Sequence, residues 1–365
     1  MNNITVSNFK GYAAPTSIGF SDLTINVGMN SVGKSTAIQS LLLVRQAFEE
    51  IRKFSDPTRK EYTIALNGPY DLQLGYYEQI SSSGEDSINI SVDNYCFAFN
   101  KLTDRFSLSF STPEGGFALP NSPLFSENFY YINAERFGPR NYQDIHNTLD
   151  KLCGYHGEYT FDTIEHHLND TIIESRRRAG GMFNVSILSK QIEYWMDYIV
   201  PGIEFRTDED VDSRTAKLKI RQTTLDTDFN SPHNFGFGIS YILPIIVTGL
   251  LASPNSILVV ENPEAHLHPS GQSRIGQFLA QMAFSGVRVI VETHSEHVLN
   301  GIRLYALKNA INPVQICINY FSLQGKLPQV ERIQLNERMD ILKWPNGFFD
   351  QEEKDLAELR KLRRK

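Results

Sequence analysis

The run Gly28-Met-Asn-Ser-Val-Gly33-Lys34-Ser35 matches G-x-x-x-x-G-K-[ST] in full, and the chemistry that pattern serves is the grip on a nucleoside triphosphate. Glycines let the main chain wrap close to phosphate. Successive backbone N–H groups and a helix N-terminus supply positive potential, Lys34 reaches the β and γ phosphates, and the Ser35 hydroxyl suits Mg2+. Far along the chain, Ile257-Leu-Val-Val-Glu261 is an apolar run ending in a carboxylate, as a second Mg2+-side ligand on a neighbouring strand would be. It continues as Asn262-Pro263-Glu264-Ala265-His266-Leu267-His268-Pro269. A third run, Val289-Ile-Val-Glu-Thr293-His294-Ser295, ends in a histidine. His266 and His268 with Glu264 invite a zinc reading, but no further ligand stands at fixed spacing, so a loop is expected there and no zinc.

These residues need a sheet edge to converge on. Residues 23–27 run apolar as a strand, and Lys34 to about Phe54 has the 3.6 period of a helix, so the Gly28 loop sits between strand and helix, as phosphate binding requires. Residues 3–9 read as a further strand. From about Tyr62 to Ser111, Thr, Ile, Val, Phe and Tyr-rich runs separated by Asn-Gly, Gly-Pro and Ser-Gly turns predict an antiparallel sheet. Residues 160–200 read as two helices and 203–222 as strands. Then follow an apolar helix over 238–252, a strand over 256–261, a helix near 270–284, a strand over 287–291 and a helix from Ser295. That alternation is the βαβ pattern of a parallel sheet, and open parallel sheets bind ligands at the carboxyl ends of their strands. The fold class expected is α/β, with a mixed, mainly parallel core sheet, an antiparallel β subdomain and a short helical insertion. Sustained heptads are absent, so no coiled-coil arms are expected.

At 365 residues, 41% hydrophobic and 21% charged, the chain has ordinary globular composition, which excludes a disordered or collagen-like polypeptide. The net charge of −7 excludes a whole-surface nucleic-acid binder, so DNA or RNA contact would need a local basic patch. Arg176-Arg177-Arg178 and the cluster from Arg360 to Lys365 are the candidates, with solvated helix faces the plainer reading. Cys96, Cys153 and Cys317 are scattered without C-x-x-C spacing, so neither a zinc ribbon nor a disulfide framework is expected, and a reducing cytosol is the expected home. No leader-like N-terminus is read. Residues 229–260 carry no charge, but the apolar core from Ile239 to Ala252 is shorter than the ~20 residues a bilayer needs and contains Pro244 and Gly249, so a buried helix and strand are expected rather than a membrane span.

Taken in order, Ile-x-x-Ser-Asn-Phe-Lys-Gly (Ile4 to Gly11), the Gly28 loop, Asn234-Phe-Gly236-Phe-Gly238-Ile-Ser240, the run from Glu261 to Pro269 and Thr293-His294-Ser295 resemble the ATP-binding-cassette ATPases of the structural-maintenance and overcoming-lysogenization-defect type. Ala134-Glu-Arg136-Phe-Gly138-Pro-Arg140 and Trp344-Pro-Asn-Gly347-Phe-Phe-Asp350 resemble a bacterial subgroup recurring in antiphage defence operons. The resemblance implies ATP and Mg2+ as cofactors, with Asn30, Ser31, Gly33, Lys34, Ser35 and Thr36 on the nucleotide and Ser35 and Glu261 on the metal. It implies a head-to-tail homodimer closed by ATP, in which Gly236, Gly238 and Ser240 of one subunit meet the γ phosphate held by the other. His294 would contact that phosphate or the attacking water.

Such ATPases commonly carry glutamate where Asn262 stands, and an amide cannot take a proton. Three outcomes remain open. Asn262 orients water slowly, Glu264 takes over, or Asn262 caps the strand end. Arg136 and Arg140 present guanidiniums for a nucleotide or partner phosphate, or form an ordinary ion-paired turn. No nuclease-like acidic constellation follows residue 300, so a separately encoded effector, a nuclease or toxin, is expected. The alternatives are a non-hydrolysing ATP-bound scaffold, a DNA-repair or structural-maintenance-type ATPase, or a transporter subunit. Residues 1–365 are read as one head: a P-loop lobe (1–60), antiparallel β with the Ala134–Arg140 segment (61–150), a helical insertion (151–202), a lobe with signature loop, acidic strand and switch histidine (203–312), and C-terminal strands with an amphipathic tail helix (313–365).

Overall fold

The computed structural model describes residues 2–54, 62–82, 84–93, 95–102, 105–111, 123–126, 128–145, 152–178, 185–210, 212–225 and 228–363. Its centre is a six-stranded sheet in the order β10 (Phe129–Ile132), β14 (Ile257–Glu261), β15 (Arg288–Glu292), β3 (Leu23–Gly28), β16 (Ile316–Gln324), β17 (Leu327–Ile333). All neighbours pair in parallel except β16 with β17. The continuous apolar runs of β3, β14 and β15 suit strands covered on both faces, and their side chains are buried almost throughout.

A second six-stranded sheet, wholly antiparallel, runs β2 (Thr16–Gly19), β1 (Asn3–Ser7), β7 (Ser87–Val92), β8 (Tyr95–Lys101), β9 (Arg105–Ser111), β4 (Tyr62–Ala65). It takes strands from either side of the first long helix, α1 (Lys34–Phe54), and shares with that helix one apolar core that includes Ile38, Leu42, Ile64 and Phe99. A two-stranded ribbon, β5 (Asn67–Gly68) with β6 (Leu72–Gln73), and the short α2 (Tyr77–Ile80) complete this side.

The other face of the central sheet is covered by α5 (Phe237–Leu251), α6 (Pro269–Ala283) and α7 (Glu296–Lys308). Against them lie α3 (Thr160–His167) and α4 (Leu188–Ile199), and a three-stranded sheet, β11 (Tyr142–Asp144), β13 (Thr215–Gln222), β12 (Ile203–Asp210). Their shared core includes Trp195, Met196, Ile246 and Phe278. The uncharged stretch around Pro244 is thus the buried helix and strand its length implied, and no helix among the described residues is long and apolar enough to cross a membrane. A terminal helix, α8 (Gln351–Leu362), leaves Leu356, Leu359 and Leu362 exposed. Lys365 and the residue before it lie outside the described residues. Among the described helices none forms a long coiled-coil arm.

Candidate functional site

Parallel register brings the three chemical runs to one edge. Glu261 ends β14 opposite Glu292 at the end of β15, and Glu292 stands opposite Asn26, two residues before the Gly28 loop leaves β3. The loop's turn demands its glycines. Gly28 has φ +145° and Gly33 φ +108°, and a Cβ at Gly28 would overlap the Phe321 carbonyl on β16. Tyr12 Oη donates to the Gly33 carbonyl at 2.9 Å, which fastens the loop from the antiparallel side. Lys34 is buried and its ammonium donates to the loop's own Gly28 and Met29 carbonyls at 3.0 and 2.6 Å. Burial lowers its pKa, and Glu292 and Glu264 oppose that shift.

Asn30, Ser31, Gly33, Lys34, Ser35 and Thr36 form one wall of a cavity of about 280 Å3, and Glu261, Asn262, Glu292 and His294 stand across it. Glu261 is buried and accepts from Tyr131 Oη at 2.9 Å; desolvation pushes its carboxyl above the usual range. Glu292 is 4% exposed, and its Oε1 accepts from Ser35 Oγ at 3.0 Å. Its Oε2 is buried with no hydrogen-bond partner among the described residues. Burial first, then Glu261, pushes this carboxyl up to about 7. A hydroxyl and two carboxylates are the hard oxygen donors Mg2+ takes, and the orphaned Glu292 Oε2 is what a cation would satisfy, so the residues present fit that ion. Glu292 stood in the quoted run without a role; its register match to Glu261 was the signal, and register is set by pairing that one strand's sequence does not display.

Asn262 sits with φ +45°, a left-handed conformation that asparagine tolerates better than glutamate. Its N–H donates to the Glu292 carbonyl at 2.8 Å, its own carbonyl accepts from Ala265 N and from Arg136 Nη2, and its side-chain oxygen is buried without a partner. Glu264 is tied down. Thr293 Oγ1 and His294 N each donate to one of its carboxylate oxygens at 2.7 Å, which fixes the loop after β14 to the loop after β15. The His294 side chain is exposed at the cavity mouth, with its pKa lowered by partial desolvation and by Lys34. His268 caps α6 by accepting from Ser270 N, and the His266 ring packs on Phe237 and Tyr241.

Two arginine expectations are corrected. Arg136 is 3% exposed and offers nothing to an external phosphate. Nη1 donates to the Asn133 and Glu261 carbonyls at 2.6 Å, Nη2 to the Asn262 carbonyl at 2.7 Å, and the guanidinium lies 5.2 Å from the centre of the Tyr241 ring. It is an internal clamp on the end of β14. Arg176 likewise is no surface patch: it is buried, donating to Ser285 Oγ and to the Leu250 and Ala252 carbonyls, while Arg178 stacks on Tyr198. Arg140 remains at the surface over Phe137.

The loop from Gly236 to Ser240 does not line the phosphate cavity of its own chain. Gly236 precedes α5, is exposed, and has open space where a Cβ would stand among the described residues. Gly238 is closely packed on its Cα side: a Cβ there would lie 2.7 Å from the His266 carbonyl, so packing within the subunit by itself requires a glycine here. Ser240 is half-buried in the first turn of α5.

Comparison with known proteins follows the same outline. The "AAA ATPase domain" family model matches residues 1–175, and the model described as "AAA domain, putative AbiEii toxin, Type IV TA system" matches residues 159–300. A family of proteins of unknown function matches residues 311–359. The chain is 23% identical over 296 residues to the energy-coupling factor transporter ATP-binding protein EcfA2 of Ureaplasma parvum serovar 3, covering 75% of this chain and 68% of that one. It is 33% identical over 63 residues to the Old nuclease of Escherichia phage P2, a match spanning 17% of this chain and 10% of the nuclease. Among solved structures, the Smc head bound to the C-terminal winged-helix domain of ScpA superposes with a TM-score of 0.51 at 14% identity, over 93% of this chain and 98% of that one. A Pyrococcus furiosus Smc head with an extended coiled coil gives 0.50 at 11% identity, over 98% and 99%. The fold is that of an Smc-type ATPase head, and together with the two domain matches it supports a P-loop ATPase of the ABC/SMC-like type.

Proposed function

We propose that this chain binds Mg2+-ATP in the Gly28–Thr36 loop, that ATP closes two copies head to tail, and that slow hydrolysis reopens them to control a separately encoded effector in antiphage defence. The observation that carries the reading is the divided arrangement of glycines: the phosphate cavity is open toward solvent, and Gly236 faces outward at a helix N-terminus away from it, where a second copy supplies the missing wall. In this reading Lys34 leaves the Gly28 and Met29 carbonyls for the β and γ phosphates, Ser35 takes the metal side, and His294, held by Glu264, meets the γ phosphate. Mg2+ supplies neutralisation of the charge that develops on the phosphate oxygens. Glu264 acts as a positioning residue because both its oxygens are engaged, and Asn262 orients the attacking water without removing its proton.

The test is light scattering with and without ATP. Wild type is expected to double in mass with ATP. Lys34→Ala should lose ATP affinity and stay monomeric while still folding, as circular dichroism would report; equal ATP affinity in both by calorimetry contradicts the reading. A non-hydrolysing scaffold is the second reading, favoured by Asn262, and it predicts dimer closure with no phosphate release.

A further inference from the structure

We propose that the cavity of about 660 Å3 between α4, α6 and the start of β12 binds a small phosphate ester, gripped by Arg178 and Arg274. It shares no lining residue with the cavity of the Gly28 loop, and the proposal does not depend on the ATP reading. Both guanidiniums converge on one ring. That of Arg178 lies 3.4 Å from the centre of the Tyr198 ring and that of Arg274 lies 5.2 Å from it. The ring is itself fixed, since Tyr198 Oη donates to Gln277 Oε1 at 3.0 Å and Arg274 Nη1 donates to the Tyr198 carbonyl at 2.7 Å. The main chain carrying Arg178 is pinned as well. Trp195 Nε1 donates to the Arg176 carbonyl at 3.2 Å, Gln281 Nε2 to the Arg177 carbonyl at 3.0 Å, and the buried Gln191 accepts from Arg178 N at 2.7 Å. A site held this way has little ordering left to do when a ligand arrives.

Among the described residues nothing accepts from the Arg178 guanidinium, and Arg274 donates through Nη1 alone. Burial lowers the Arg178 pKa and the like charge of Arg274 adds to that, while Tyr198 and Asp197 oppose it. The carboxylates lining the cavity do not cancel the pair. Glu193 is ion-paired with Lys190 at 2.7 Å and Glu204 with Arg221, so among the described residues Asp197 is the one lining carboxylate without a cationic partner, against two guanidiniums. A phosphate monoester brings about two negative charges at neutral pH and oxygens that accept forked N–H pairs, which suits two converging arginines. The volume falls within the roughly 300–1,000 Å3 of small-molecule sites, and Tyr194, Pro201 and Ile203 offer a wall for a flat or apolar body. A cation–π strut that only ties α4 to α6 is the competing account.

AMP and inorganic phosphate serve as probes, each titrated into the full chain by calorimetry beside ATP. Wild type is expected to bind AMP more tightly than inorganic phosphate. Arg178→Gln should lose AMP affinity by roughly 10-fold or more and keep its ATP affinity, whereas Lys34→Ala should keep AMP affinity. Several results overturn the proposal: no AMP binding by wild type, wild-type AMP affinity in Arg178→Gln, or AMP binding that Lys34→Ala abolishes, which would put the probe in the Gly28 loop. Inorganic phosphate bound as tightly as AMP overturns the ester. A glutamate-rich peptide that binds where neither probe does would give the cavity to a partner's acidic segment and overturn the small-molecule assignment. Should Arg178→Gln fail to fold by circular dichroism, Arg178→Lys decides, because it keeps the charge and loses the fork: reduced AMP affinity supports the site, and wild-type affinity rejects it.

Discussion

Arg136→Ala removes one side chain and strands three acceptors, the carbonyls of Asn133, Glu261 and Asn262. Hydrogen bonds from a charged donor are worth about 1.5–3 kcal/mol each, which sums to more than one truncation delivers, because removing the buried guanidinium also recovers its own desolvation cost. The cost of breaking such a buried charged cluster is about 3–5 kcal/mol, and that is the loss of unfolding free energy expected in urea titration. Arg136→Lys should recover less than half of it, since one ammonium cannot fork across carbonyls at 2.6 and 2.7 Å that lie on two loops. Because the clamp holds the backbone of Glu261 and Asn262, phosphate release should fall in both variants. A loss under about 1 kcal/mol in Arg136→Ala would refute the clamp.

Helices α6 and α7 cross where a Cβ at Gly301 would overlap the Ser273 carbonyl and one at Gly276 the Val298 carbonyl, so Gly301→Ala and Gly276→Ala should each cost about 1–3 kcal/mol by the same titration. Thiol reactivity should separate the cysteines. Cys96 is exposed, whereas Cys153 is buried with its thiol pushed up to about 12 and Cys317 is buried with its thiol pushed up as well. A raised pKa leaves little thiolate at pH 8, so an aromatic disulfide reagent should titrate Cys96 alone in the native chain and all three after denaturation.

Much of this was legible in the sequence. The limits of α1 follow from its periodicity and from the glycine loop before it, and the strand-end position of Glu261 follows from an apolar run that stops at a carboxylate. What periodicity does not carry is which strands become neighbours. The first strand, Asn3–Ser7, precedes the Gly28 loop closely yet pairs with β7 in the antiparallel sheet, and the meeting of Glu292 with Glu261 and Ser35 appears only once β15 lies between β14 and β3. Arg136 and Arg176 misled for a related reason: in sequence an arginine reads as surface, and only tertiary packing supplies the carbonyls that let a guanidinium be buried. At Gly238 the sequence cannot separate a glycine required by close packing from one required by a ligand, because the two look alike.

In the proposed function a dimer is held by ATP and released slowly because Asn262 stands where a water-activating carboxylate belongs. Steady-state phosphate release from Asn262→Glu against wild type tests it most directly, with Glu264→Gln alongside. The left-handed φ of +45° at this position charges a glutamate about 1–2 kcal/mol in stability, which the fold should absorb. General-base assistance is worth ~10²–10⁴-fold, so a rise of roughly 10-fold or more is predicted in Asn262→Glu, with only a modest fall in Glu264→Gln. Unchanged turnover in Asn262→Glu together with complete loss in Glu264→Gln would contradict the account and make Glu264 the base.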